Sequence, residues 1–294
     1  MTDIIVTPYS LEDFPKLSKA NSFLLGNARF GVRLTKSFSV EEIMQARVLT
    51  KQLKKNLYIS VNKIFLEDEV KKLTGFLMFL KEQDVDAIFF SDLGVFSIAK
   101  EIGILNKLVY FSETQSVNYR DIEFFTKLGI KGVIISKETT LENILLTGNK
   151  VKGNLGVNIY GHMHMYYSRR KLLKSYFRKY GVLPDQFHEN MNVRIKERSR
   201  NEYLPIYQDD QGTQIFTGEI LNGIDHVKEL IDNNIKMFII DGIFENLEYL
   251  LKVLDYYDQA INHHQPGLFD KMKQDYPTKQ YGVGFYYKKI GVKA

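Results

Sequence analysis

Val157-Asn-Ile-Tyr-Gly-His-Met-His-Met-Tyr-Tyr-Ser-Arg-Arg-Lys-Leu-Leu173 reads as a short apolar strand, a turn bearing two histidines, and then a strongly basic amphipathic segment. Strand, polar turn, helix is the order in which an α/β barrel carries its functional groups. The same alternation recurs on both sides. Upstream, short runs rich in β-branched and aromatic residues lie at 22–25, 57–61, 87–90, 108–111 and 132–135, with 155–159 as the sixth. Amphipathic stretches separate them. Val40 to Lys54 places Ile43, Ala46, Leu49 and Leu53 at helical spacing, and Glu67 to Gln83 does so with Val70, Leu73, Leu77 and Leu80. Stretches 121–128 and 141–146 continue the pattern, and Gly103 and Gly129 stand where helix stops are expected. Downstream, 214–217 and 237–240 read as two more strands, followed by helical segments at 225–233 and 247–257.

Eight apolar strands separated by helices predict a parallel sheet buried on both faces. The fold class is α/β, a (β/α)8 TIM-like barrel over residues 1–265, with an irregular basic insertion between strands six and seven near 168–210. Residues 266–294 form a tail packing on the barrel. An open doubly wound sheet is the alternative, but no glycine-rich phosphate fingerprint follows the first strand.

A chain of 294 residues with 44% hydrophobic and 26% charged side chains is expected to bury a sizeable core. Its longest apolar runs are too short to span a membrane, and no secretory signal is visible, so a cytoplasmic protein without a membrane partner is expected. The absence of cysteine excludes disulfides, thiolate nucleophiles and cysteine-held clusters. The net charge of +5 is mild but concentrated. Arg169, Arg170, Lys171, Lys174, Arg178 and Lys179 fall within eleven residues, and Arg194, Lys196, Arg198 and Arg200 follow. Interleaved with Tyr166, Tyr167, Tyr176 and Tyr180, this pattern suits single-stranded RNA, where guanidinium groups meet phosphate and aromatics stack on bases. The same residues also suit a solvated helix face over a buried stripe of Leu172, Leu173, Tyr176 and Phe177.

Reading the C-terminal ends of the strands gives Asn62, Asp92, Glu113, Lys137, His162, His164, Glu219 and Asp241, a polar rim with several acids. The candidate catalytic residues are His162, His164, Asp241 and Glu113. Histidines at i and i+2 on a strand face the same side, as a metal pair requires. A zinc site needs further ligands, and no other histidine falls at a strand end, so no metal is assigned.

Several segments resemble one family, the collagenase-like peptidases, which also include tRNA hydroxylation proteins. They are Asn27 to Arg33, Tyr58 to Asn62, Asp86 to Val95, Ser112-Glu-Thr-Gln115, Val157 to Gly161, Tyr207 to Thr213 and Ile239-Ile-Asp-Gly242. The resemblance implies prephenate-dependent 5-hydroxylation of the wobble uridine of tRNA, with this chain as one component beside a cysteine-bearing paralogue. The departures are specific. His164 and Lys171 stand where the family carries cysteines, and Asp241-Gly-Ile243 replaces its Glu-Gly-Arg. The family's iron–sulfur cluster cannot be thiolate-ligated by such a chain. A collagenase-like peptidase or metal-dependent hydrolase, and a non-catalytic tRNA-binding partner subunit, remain as alternatives.

Overall fold

The computed structural model describes residues 2–181, 193–198 and 202–287. Eight parallel strands close on themselves: β1 (Asp3–Val6), β2 (Ser22–Gly26), β3 (Asn56–Val61), β4 (Ala87–Phe90), β5 (Leu108–Tyr110), β6 (Gly132–Ile134), the first part of β7 (Leu155–Ser168), and β11 (Ile235–Ile240). Closure comes from β11, which pairs in parallel with both β1 and β7. Around the sheet run α1 (Val40–Leu53), α2 (Val70–Glu82), α3 (Leu93–Glu101), α4 (Tyr119–Lys127) and α5 (Leu141–Lys150).

Strand periodicity divides the core into two shells. Side chains of one parity, Ile5, Leu24, Tyr58, Ala87, Phe89, Val109, Ile134, Met237 and Ile239, fill the barrel interior with Phe111. Those of the other parity, such as Leu57, Ile59, Val61, Ile88 and Phe90, pack outward against Ile43, Leu73, Leu77 and Ile98 of the helices. Helix starts are fixed by side-chain caps. Ser39 and Glu42 form a reciprocal capping box on α1, while Asp92, Asn118 and Thr140 cap α3, α4 and α5. Gly103 and Gly129, at φ 76° and 82°, supply the left-handed stops after α3 and α4.

The (β/α)8 barrel stands as expected, but its strand set differs. Asp3–Val6 is the first strand, and the run at 214–217 lies outside the barrel altogether. The two changes offset, which is why the count of eight survives. The insertion therefore follows the seventh barrel strand and precedes the eighth. Part of it, 182–192 and 199–201, lies outside the described residues, and the described part is not irregular. At Gly161, with φ 127°, β7 leaves the barrel and continues as an antiparallel partner of β10 (Gly212–Asn222). A side chain on Gly161 would strike the Asp241 carbonyl oxygen at 2.8 Å, so only glycine lets the strand pass so close to the end of β11. The histidine turn is thus part of one 14-residue strand. Between the arms lie α6 (Leu172–Lys179), β8 (Arg194–Lys196) and β9 (Tyr203–Asp209), with β9 pairing to both β8 and β10.

After β10 the chain forms α7 (Val227–Asp232), passes β11, and forms α8 (Leu247–His263). The tail contains α9 (Leu268–Asp275), whose Leu268 and Met272 are buried, and β12 (Tyr281–Gly282), which pairs with β10. Among the described residues no helix is long and apolar enough to cross a membrane.

Candidate active site

The arm formed by β7, β10 and β9 bends over the C-terminal mouth of the barrel. Tyr207, Phe216, Ile243 and Phe244 form a small apolar cluster under it. Beneath lies a cavity that brings all four sequence candidates, Glu113, His162, His164 and Asp241, together with Arg33 and Thr7. Its interior space is about 50 Å3, room for a few waters. A neighbouring opening of about 280 Å3 shares Arg33, Asn62, Glu113 and His164 with it and is walled by Gln115 and Tyr167.

The centre of the site is a charge cluster. Glu113 pairs with Arg33 at 3.0 Å and with Lys137 at 2.7 Å, and Lys137 also donates to the His164 carbonyl oxygen. The three side chains are 13%, 11% and 3% exposed, so water screens them little. Burial alone would push the Glu113 carboxyl up, but Arg33 and then Lys137 outweigh it and hold it at about 2. Arg33 and Glu113 both adopt left-handed backbone, at φ 58° and 69°. Strain of that kind in two ion-paired non-glycine residues is typical of functional sites.

Asp241 behaves oppositely. Burial pushes it up to about 6, although the Ile243 amide at 3.0 Å and the Thr7 hydroxyl at 3.2 Å donate to its Oδ1. Both histidines are pushed down, His162 to about 4 and His164 to about 3, again chiefly by burial. His162 Nδ1 lies 2.7 Å from the Thr217 carbonyl oxygen, so that nitrogen carries the proton of the neutral ring. His164 sits edge-on to Phe216, and its buried Nε2 has no partner within the chain. Among the described residues, no three His, Asp or Glu side chains are grouped to hold a metal ion.

Other rim residues serve the scaffold. Asp92 caps α3 and also accepts from the Phe65 amide, and Asn62 accepts from Val32. Glu219 is exposed on β10, away from the barrel strand ends. Arg33, Thr7 and Tyr207 were not legible as site residues. Arg33 sits in a loop far along the chain from Glu113, and nothing in its spacing announces the pair.

The basic residues stand apart from the cavity. Arg169, Arg170, Arg178 and Lys179 are exposed on the turn and on α6. Lys171 pairs with Asp210 at 2.6 Å, and Lys174 is half-buried against β9. Leu173 anchors α6, while Tyr176 and Tyr180 remain 57% and 61% exposed with their rings 4.7 Å apart. Leu173 is thus the buried side of the stripe and the tyrosines are not. Arg194, Lys196 and Arg198 are exposed, and Arg200 lies outside the described residues.

The sequence profile of peptidase family U32 matches residues 17–289. The chain belongs to that family. It is similar to tRNA hydroxylation protein P2 of Bacillus subtilis, with 31% identity over 264 residues, covering 88% of this chain and 85% of that protein. An uncharacterized protease of Methanocaldococcus jannaschii is 27% identical over 87% of this chain and 65% of its own. The tRNA hydroxylation protein P of Escherichia coli is 23% identical over 84% and 64%. Among solved structures, a U32 peptidase superposes with a TM-score of 0.52 at 14% identity, covering 82% of this chain and 92% of that one, a likeness of fold. This U32 chain carries no cysteine.

Proposed function

We propose that this chain is a component of a tRNA-hydroxylation system, in which the exposed bases and tyrosines of α6 and its preceding turn hold RNA beside the roofed barrel mouth. The observation that carries the reading is the joint one. The similarity, over 88% of this chain and 85% of the relative, is to a tRNA hydroxylation protein, and the turn and helix that continue from the cavity-lining strand β7 pair cations with exposed aromatic rings. In this reading the RNA base modified is the wobble uridine, prephenate is the small-molecule co-substrate entering beside Arg33, and a cysteine-bearing paralogue supplies any cluster chemistry.

Within the cavity each group has a distinct task. Glu113 stays ionised and balances Arg33 and Lys137, which present positive charge to an anionic ligand. Asp241, at about 6, is the group suited to exchanging a proton near neutral pH. The two histidines are neutral hydrogen-bonding groups. The peptidase alternative would need an activated nucleophile or a metal-bound water, and among the described residues no three His, Asp or Glu side chains are grouped to hold a metal ion.

Deleting the gene in its host and quantifying 5-hydroxyuridine-derived wobble nucleosides by mass spectrometry tests the proposal. Loss of those nucleosides, restored by the gene in trans, is expected. Unchanged nucleosides together with peptide cleavage by the purified protein would transfer the assignment to the peptidase reading.

A further inference from the structure

A second cavity, of about 330 Å3, opens on the other side of His162. Its walls include Arg194, Glu202, Tyr203, Phe244, Glu245 and Lys279, which come from β8, β9 and the residue before it, the loop after β11 and the tail. The Glu245 side chain is only 4% exposed. Its Oε2 accepts from Lys279 Nζ, while its Oε1 is buried with no hydrogen-bond partner within the chain. A buried acceptor left unmade costs on the order of 1–3 kcal/mol, and more for a charged one, unless something outside the chain completes it. Phe244, at φ 67°, turns the backbone just before Glu245 and sets that carboxyl toward the cavity wall.

The surroundings define what would complete it. Lys279 and Arg194 are cations lining the same space as the carboxylate. Tyr203 is 56% exposed at the rim, with Lys196 Nζ 5.3 Å from its ring centre on one side. His162, protonated on Nδ1, offers Nε2 only as an acceptor, and it lines both this cavity and the one at the barrel mouth.

We propose that this cavity receives one unstacked uracil-type base of the bound RNA. The ring N3–H donates to Glu245 Oε1, the two flanking carbonyls accept from Lys279 and Arg194, and Tyr203 covers a face. A uracil edge reads acceptor, donor, acceptor, and the wall offers two cations, Lys279 and Arg194, beside the open carboxylate oxygen of Glu245. Cytosine would turn its ring-nitrogen lone pair onto the carboxylate, which disfavours it. Proteins recognise splayed-out RNA bases in this way, by stacking and by hydrogen bonds to the pairing edge. His162 lines both the space of a base so seated and the Glu113–Asp241 cavity. The inference rests on the tRNA-hydroxylation reading.

Synthetic anticodon stem-loops carrying 4-thiouridine at one loop position at a time test it, by photo-cross-linking to the intact protein and mapping of the joined peptide. One position is expected to join residues within 193–198, 202–203, 244–245 or 278–280. In E245Q its yield should fall about tenfold, as should the yield for a 3-methyl-4-thiouridine probe lacking the N–H on wild type. Gel-shift affinity for the whole stem-loop should change by less than about twofold, since phosphate contacts dominate it. Cross-links confined to 166–180, or yields indifferent to both E245Q and the methyl group, would overturn the base pocket alone. A stem-loop that does not bind at all in the gel shift would overturn the tRNA reading with it.

Discussion

The two ends of the barrel treat buried charge differently. At the N-terminal end, Asp3 accepts from Ser22 at 2.5 Å and from Tyr58 at 2.7 Å, and Asp86 accepts from Arg47 at 2.7 Å and the Leu57 amide at 2.8 Å. Those acids tie strands to strands and to α1, and they close on groups of the chain itself. At the C-terminal mouth, Glu113 faces two cations, Asp241 is driven toward its neutral form, and His164 Nε2 and Tyr207 OH are buried with no partner in the chain. At the first end only Arg47 Nε is left open beside these acids; the second end leaves a wider set of groups arranged for something that arrives. This is the division of labour expected of a barrel, stability at one face and chemistry at the other.

The largest effect that would sharpen the contrast is on stability. Glu113→Ala leaves Arg33 and Lys137 buried without their counter-charge, and should cost about 3 kcal/mol in urea unfolding at neutral pH. Asp86→Ala removes a 29% exposed acid while Arg47 keeps Asp84 at 3.5 Å, and should cost about 1 kcal/mol. Equal losses would erase the distinction between the two ends.

The next effect is pH-dependent and smaller. Because folding raises the Asp241 carboxyl to about 6, its stabilising contribution is complete below the usual carboxylate range and is lost as pH rises through 6. Asp241→Asn cannot ionise and escapes that loss. Its stability relative to wild type should therefore improve by about 2 kcal/mol between pH 4 and pH 8, measured by urea midpoints. Glu113 works in the other direction, its contribution present above the usual range and lost as pH falls toward 2. A stability difference independent of pH would mean that Asp241 is solvated in solution.

The smallest effect concerns the surface. Arg178→Glu with Lys179→Glu should weaken tRNA binding about tenfold, flatten its dependence on salt, and leave the unfolding midpoint unmoved. Unaltered affinity would return α6 to the status of a solvated helix.

The barrel was legible because its signal is local. Runs such as Ala87-Ile-Phe-Phe90 and Met237-Phe-Ile-Ile240 alternate with helices whose caps and stops can be read in sequence. Asp3–Val6 escaped because four residues at the chain's start, one of them charged, carry little periodicity. The length of β7 was hidden by Gly161 and two histidines, which mimic a turn; a pairing with β10 some fifty residues later makes them a strand. The four candidates could be named because barrel strand ends are predictable positions, and the fold gathers them round one cavity. Arg33, Glu245 and Lys279 were not, since loops and a tail bring them in, and only the closed fold puts Arg33 against Glu113 or Lys279 against Glu245.

The central claim is that the barrel mouth of this chain does work in tRNA hydroxylation. It is tested most directly by complementing the deletion strain with Asp241→Asn, a variant expected to be at least as stable as wild type at neutral pH, and measuring hydroxylated wobble nucleosides by mass spectrometry. The account predicts a folded, tRNA-binding protein that fails to restore them, while Asp86→Asn at the opposite end restores them. Full restoration by Asp241→Asn would contradict it.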